Sequence, residues 1–82
     1  MTLKEKCSCP LSSQRMLHYR LYTLTSEKDS LSFYLEIQLE SDRFFASLKT
    51  TDLKEAKRIY SLLLKSKVTP CTAQDVLADI CP

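Results

Sequence analysis

Phe33, Leu35, Ile37 and Leu39 alternate without a break with Tyr34, Glu36, Gln38 and Glu40. An apolar–polar period of two, sustained over Ser32–Glu40, is the pattern of a strand with one face buried and the other wet. Such a strand needs neighbours for its backbone and a layer over its apolar face. The flanking segments offer both. Upstream, from Met16, Leu17, Tyr19 and Leu21 alternate with His18, Arg20 and Tyr22. Downstream, over Phe44–Lys49, Phe44, Ala46 and Leu48 share one side. The polar stretches Ser26–Ser30 and Ser41–Arg43 separate these three runs as turns.

The strands also fit together. A first hairpin folded about Lys28 sets Leu17 against Leu39, Tyr19 against Ile37 and Leu21 against Leu35. The same register places Arg20 opposite Glu36, a favourable cross-strand pair. A second hairpin folded about Ser41 and Asp42 sets Leu39 against Phe44, Ile37 against Ala46 and Leu35 against Leu48. Both hairpins put their apolar sets on one face, and a slip of one residue would break that agreement.

The covering layer is expected from Thr51–Ile80. Leu53, Ala56, Ile59, Tyr60 and Leu63 recur at helical spacing, opposite Lys54, Glu55, Lys57, Arg58 and Ser61. Thr51 and Asp52 are both N-cap residues, and Asp52 with Glu55 three places on resembles a capping box. Pro70 ends this helix near Ser66. A second helix has two possible starts: Thr69 with Pro70 in the first turn, or Thr72. Its apolar face is Ala73, Val76, Leu77 and Ile80. Helices this short are marginal alone in water, so their stripes imply a partner surface in the fold. The expected architecture is α+β, a three-stranded antiparallel β-meander followed by two α-helices packed on one face (β-β-β-α-α, two layers).

With 82 residues the chain makes one domain. Residues 1–14 are polar, carry Pro10 and read as a flexible N-terminal arm, leaving 15–82 as a single small α+β domain. The arm has no continuous apolar segment, so it is not expected to be a signal peptide, and no apolar run is long enough to span a bilayer. A cytoplasmic protein is expected. The net charge of +2 does not argue for nucleic acid or an anionic membrane. There is no glycine. That removes the glycine-rich phosphate loop, and turns needing positive φ must use other residues, with Asp and Ser the expected substitutes.

Four groups of residues could carry chemistry or binding. The cysteines Cys7, Cys9, Cys71 and Cys81 could ligate zinc if the arm folded back to the C-terminal helix, although their spacing is not that of a zinc finger. In a reducing compartment four plain thiols are the simpler expectation. His18 is the only histidine and falls on the solvent side of the sheet opposite Gln38, with no nucleophile in evident spacing. Glu36 and Glu40 share a face, but Arg20 across from Glu36 points to a solvated charge pair. Tyr22, Tyr34 and Phe45 fall on the sheet face away from the helices, near Met16. An aromatic stripe on an open sheet suits a binding surface, and ordinary cross-strand packing is the alternative. The basic residues of the first helix (Lys54, Lys57, Arg58, Lys65 and Lys67) read as a solvated face.

The segments TTDLKEAKRI, SLLLKSKVTP and CTAQDVLADI resemble a small bacterial domain-of-unknown-function family from spore-forming Gram-positives, over about residues 31–81. The family's ending reads Ser-Pro, then His-Leu, then Asp-Val-Val-Glu-Asp. Thr69, Pro70, Asp75, Val76, Leu77 and Asp79 match that pattern. Thr72 stands where the family has His, and Ala78 where it has Glu. The resemblance implies a sheet-then-helices fold and a cytoplasmic bacterial origin, and assigns no activity.

These observations together lead to the expectation of a small intracellular interaction or regulatory module without catalytic activity or cofactor. Its partner is another protein or a second copy of itself, with a homodimer possible and neither nucleic acid nor membrane expected. A cysteine-based metal-binding or redox-responsive protein is the alternative, and an enzyme using His18 with Glu36 ranks last.

Overall fold

A computed structural model describes residues 2–27 and 30–80. The order of elements is β1 (Thr2–Ser12), β2 (Arg15–Thr25), β3 (Leu31–Leu39), β4 (Asp42–Leu48), α1 (Leu53–Lys65) and α2 (Pro70–Ile80). The strands form one antiparallel sheet in the order β1-β2-β3-β4. The α+β class and the two helices agree with the sequence-based expectation. The strand number does not: the sheet has four strands, not three, because Thr2–Ser12, expected to be part of an arm, pairs along β2.

The pairing of β1 has a chemical basis. Glu5, Cys7 and Cys9 lie opposite Leu21, Tyr19 and Leu17, so they face the helix side of the sheet with Leu11. Lys6 and Ser8 fall opposite Arg20 and His18 on the other side. Register shifts between Leu3 and Glu5 and between Pro10 and Ser12 mark bulges. Pro10 is tolerated because β1 is an edge strand.

The β2–β3 register is the one expected: Leu17 faces Leu39, Tyr19 faces Ile37, Leu21 faces Leu35 and Arg20 faces Glu36. The β3–β4 register differs by two residues. Ile37 faces Phe44, Leu35 faces Ala46 and Phe33 faces Leu48. The cause is a two-residue turn, Glu40–Ser41, with Leu39 already paired to Asp42. Two-residue hairpin loops favour positive φ because that twist matches the strands. Without glycine, Glu40 takes that conformation at φ 56°. The expectation that Asp or Ser would fill such positions is corrected here and again at Lys67, with φ 50°.

Asp52 caps α1, its carboxylate accepting a hydrogen bond of 3.0 Å from the Lys54 backbone N–H. The expected reciprocal capping box does not form. The Asp52 N–H donates to Thr50 Oγ1 at 3.1 Å, and the Glu55 carboxylate is held by Arg58. That hydrogen bond from Arg58 keeps the Glu55 carboxyl below its ordinary range. At the other end Lys67 N–H reaches Leu64 C=O and Val68 N–H reaches Leu63 C=O, both at 3.2 Å. This is a Schellman closure, sealed by the buried pair Leu63 and Val68. A lysine in the left-handed position costs roughly 1–2 kcal/mol, which the closure offsets. Of the two possible starts for α2, the structure uses Pro70.

α1 lies over the β1–β2 half of the sheet, where Lys57 Nζ approaches Glu5 at 3.7 Å. α2 lies against β3 and β4. Between the layers are Leu17, Tyr19, Leu21, Phe33, Leu35, Ile37, Ala56, Ile59, Leu63 and Ala73, all fully buried. Two tyrosines fix the layers together through their hydroxyls. Tyr19 donates to Val68 C=O at 2.8 Å, and Tyr60 donates to Tyr19 C=O at 3.3 Å. No helix among the described residues is long and apolar enough to cross a membrane.

Candidate functional site: the open face of the sheet

Both helices cover the same side, so among the described residues the other side of the sheet carries no second layer. Alternation sends His18, Arg20 and Tyr22 of β2 and Tyr34, Glu36 and Gln38 of β3 to this open face. Arg43 and Phe45 of β4 join them, opposite Gln38 and Glu36. The structure therefore brings Tyr22, Tyr34 and Phe45 together. Tyr34 and Phe45 stack with ring centroids 5.7 Å apart and planes at 11°. Tyr22 meets Phe45 at 6.2 Å and 50°. Phe45 remains 45% exposed while the tyrosines are half-buried against it. Offset stacking of this kind adds about 0.5–1.5 kcal/mol per pair beyond burial and holds the rings in place.

Glu36 lies under this cluster and is only 3% exposed. The solvated charge pair expected from the sequence is thus corrected to a buried carboxylate. Its Oε1 accepts from Arg20 at 2.7 Å and from the Tyr22 hydroxyl at 3.3 Å, and its Oε2 pairs with Arg43. Arg20 also donates to Gln38 Oε1 at 3.1 Å. A buried carboxylate persists only when its oxygens are satisfied, and here three side chains from two neighbouring strands do so. The effect is to tie Arg20, Tyr22 and Arg43 into one rigid arrangement around the aromatic stack.

β1 extends the surface. Leu3 lies opposite Tyr22, which lies opposite Tyr34, so an apolar band crosses the sheet from Leu3 through Tyr22 and Tyr34 to Phe45. Leu3 is 46% exposed, and Leu24 two residues beyond Tyr22 is exposed as well. Leu3 and Leu24 were not foreseen from the sequence. The alternation of Cys7, Cys9 and Leu11 with Lys6, Ser8 and Pro10 is a signal for β1 itself but not for Leu3, which the register shift between Leu3 and Glu5 moves to the open face. Met16 is also exposed, at the far end opposite Pro10.

The remaining candidates are placed as follows. His18 is opposite Gln38, as expected, and its Nδ1 lies 2.7 Å from Ser8 Oγ, a partner that β1 supplies. Glu36 is engaged by Arg20, Arg43 and Tyr22, and Glu40 by Arg15 at 3.2 Å. Cys7 and Cys9 are half-buried on the helix side of β1, Cys71 is exposed on α2, and Cys81 lies outside the described residues. Among the described residues, no three Cys, His, Asp or Glu side chains gather as a metal site. Thr72 and Ala78 are both exposed on α2. The Thr72 hydroxyl is turned back onto Thr69.

Compared with known proteins, the chain matches no family model, no curated protein and no solved structure.

Proposed function

We propose that this chain is a small protein-interaction module that associates through the open face of its sheet. The observation that carries the proposal is the stacked aromatic group Tyr22, Tyr34 and Phe45, framed by Arg20 and Arg43, on a face that neither helix covers. Tyrosine and arginine are among the residue types that most often anchor protein interfaces, tyrosine because it buries a large area while fixing few torsions and arginine because its planar guanidinium both stacks and donates several hydrogen bonds. Here the rings are stacked and both arginines are pinned to Glu36 before any partner arrives. Ordering them on binding therefore costs little, which favours affinity. The partner class is a protein surface with an apolar centre, either another protein or a second copy.

Replacing Tyr22 and Tyr34 together by Ser should remove most of this association while leaving the circular dichroism spectrum unchanged, since neither side chain reaches the core between sheet and helices. The check compares what immobilised wild-type and Tyr22→Ser/Tyr34→Ser protein retain under reducing conditions. Equal retention by the two would show that the open face is not the contact surface.

A further inference from the structure

Going beyond that proposal, we infer that β4 is the pairing edge for a second copy of this chain, joined antiparallel about a two-fold axis at Phe45. The two edges of the sheet are built differently. β1 carries Pro10, two register shifts and the charges Lys4, Glu5 and Lys6. Those are the devices by which proteins keep an edge strand from pairing with another chain. β4, Asp42–Leu48, has no proline and no register shift, and pairs with β3 along its whole length. Its outer row of N–H and C=O groups has no neighbouring strand.

The sequence of β4 is suited to meeting itself. Antiparallel pairing about a two-fold axis normal to the sheet must centre on a residue, because opposed side chains share a face. Phe45 is the middle residue of Asp42–Leu48, so an axis there uses the entire strand. On the open face, Phe45 meets Phe45 of the second copy, and the Tyr34–Phe45 stack continues across the joint. On the helix side, Phe44 meets Ala46 of the second copy, a large residue against a small one. That match fills a hollow already present: a groove of about 260 Å³ between β4 and α2, bounded by Phe44, Ala46, Leu48, Gln74, Leu77 and Ala78. The charged residues of α2, Asp75 and Asp79, do not line it. The product is a continuous eight-stranded sheet with the aromatic bands of both copies on one open face.

The test is the mass of the full chain in solution under reducing conditions, by sedimentation equilibrium. Wild type is expected at twice the 9.5 kDa chain mass. Phe45→Lys and Phe45→Glu each set like charges against each other at the axis and should each be monomeric, with association weakened roughly 30-fold or more. Phe45 is 45% exposed but lies opposite the buried Glu36, so circular dichroism of each variant checks that the monomer fold is kept, and Phe45→Lys, which sets no like charge against Glu36, carries the test if Phe45→Glu is unfolded. Mixing the two variants sets Lys against Glu at the axis and should restore a dimer. A monomeric wild type overturns the self-pairing and leaves the edge to a strand from another protein. A dimer that survives Phe45→Lys, or a mixture that stays monomeric, overturns the axis at Phe45. None of these results touches the broader proposal, because pairing along β4 leaves the open face uncovered for another protein; that proposal fails if the Tyr22→Ser/Tyr34→Ser protein retains the same other proteins as wild type.

Discussion

Between pH 10 and pH 12 the protein should lose roughly 4 kcal/mol of stability, a large part of what holds a domain of this size folded. Two tyrosines are responsible. Burial pushes the Tyr19 hydroxyl up to about 12, with the neighbouring thiols Cys9 and Cys7 adding to it once they ionise. Burial likewise pushes Tyr60 up to about 12, with Cys7, Glu5 and Tyr19 as lesser contributors. In the unfolded chain both ionise near pH 10. The folded state therefore holds each proton more tightly than the unfolded state. The stabilisation is complete below pH 10, and is lost as the pH climbs through the folded value. A shift from 10 to about 12 corresponds to roughly 3 kcal/mol per tyrosine in full, of which roughly 2 kcal/mol is lost between pH 10 and pH 12. Because Tyr19 and Tyr60 influence each other, the two do not add strictly. Urea unfolding at a series of alkaline pH values measures the slope. Tyr60→Phe should show about half the wild-type loss over this range. A wild-type stability that stays flat from pH 10 to 12 would mean that neither hydroxyl is held as described.

Removing residues 1–14, so that the chain begins at Arg15, should destabilise the fold by at least about 3 kcal/mol and leave much of it unfolded at room temperature. The segment read from composition as a flexible arm contains β1, Thr2–Ser12. Its loss uncovers the edge of β2, removes the packing of Cys7, Cys9 and Leu11 against the core, and frees Lys57 from Glu5. Thermal unfolding followed by circular dichroism distinguishes the two cases. An unchanged midpoint in the shortened chain would return residues 1–14 to the status of an arm.

The parts of the fold legible in the sequence were those with redundant signals. β2 and β3 both alternate cleanly, and Arg20 opposite Glu36 supplies an independent check on their register. The helices were fixed by the spacing of Ala56, Ile59, Tyr60 and Leu63 and by Asp52 and Pro70. β1 was not legible because its core-facing positions are Glu5, Cys7 and Cys9 with Leu11 as the one large aliphatic, and because Pro10 and two bulges interrupt the pattern. The β3–β4 register was ambiguous for a different reason. A shift of two residues preserves which side chains face the core, so hydrophobicity alone could not separate a turn at Glu40–Ser41 from one at Ser41–Asp42.

The same distinction applies to the open face. Tyr22, Tyr34 and Phe45 could be assigned to it from strand parity alone. Their stacking and the burial of Glu36 could not, because both arise from side chains on neighbouring strands whose relative register had first to be known. Leu3 depended on β1 and was missed with it. The buried carboxylate turns what would be scattered surface residues into a fixed platform, and this is why the face is the part of the molecule to which binding is assigned.

That assignment is tested most directly by replacing Phe45 with a photo-crosslinking phenylalanine analogue in the cells that make the protein. Lys54, exposed on the outer side of α1, carries the same analogue as the control. Irradiation should give a covalent protein adduct from position 45, at twice the chain mass if the partner is a second copy, and none from position 54. Adducts from position 54 alone, or none from position 45, would contradict the account.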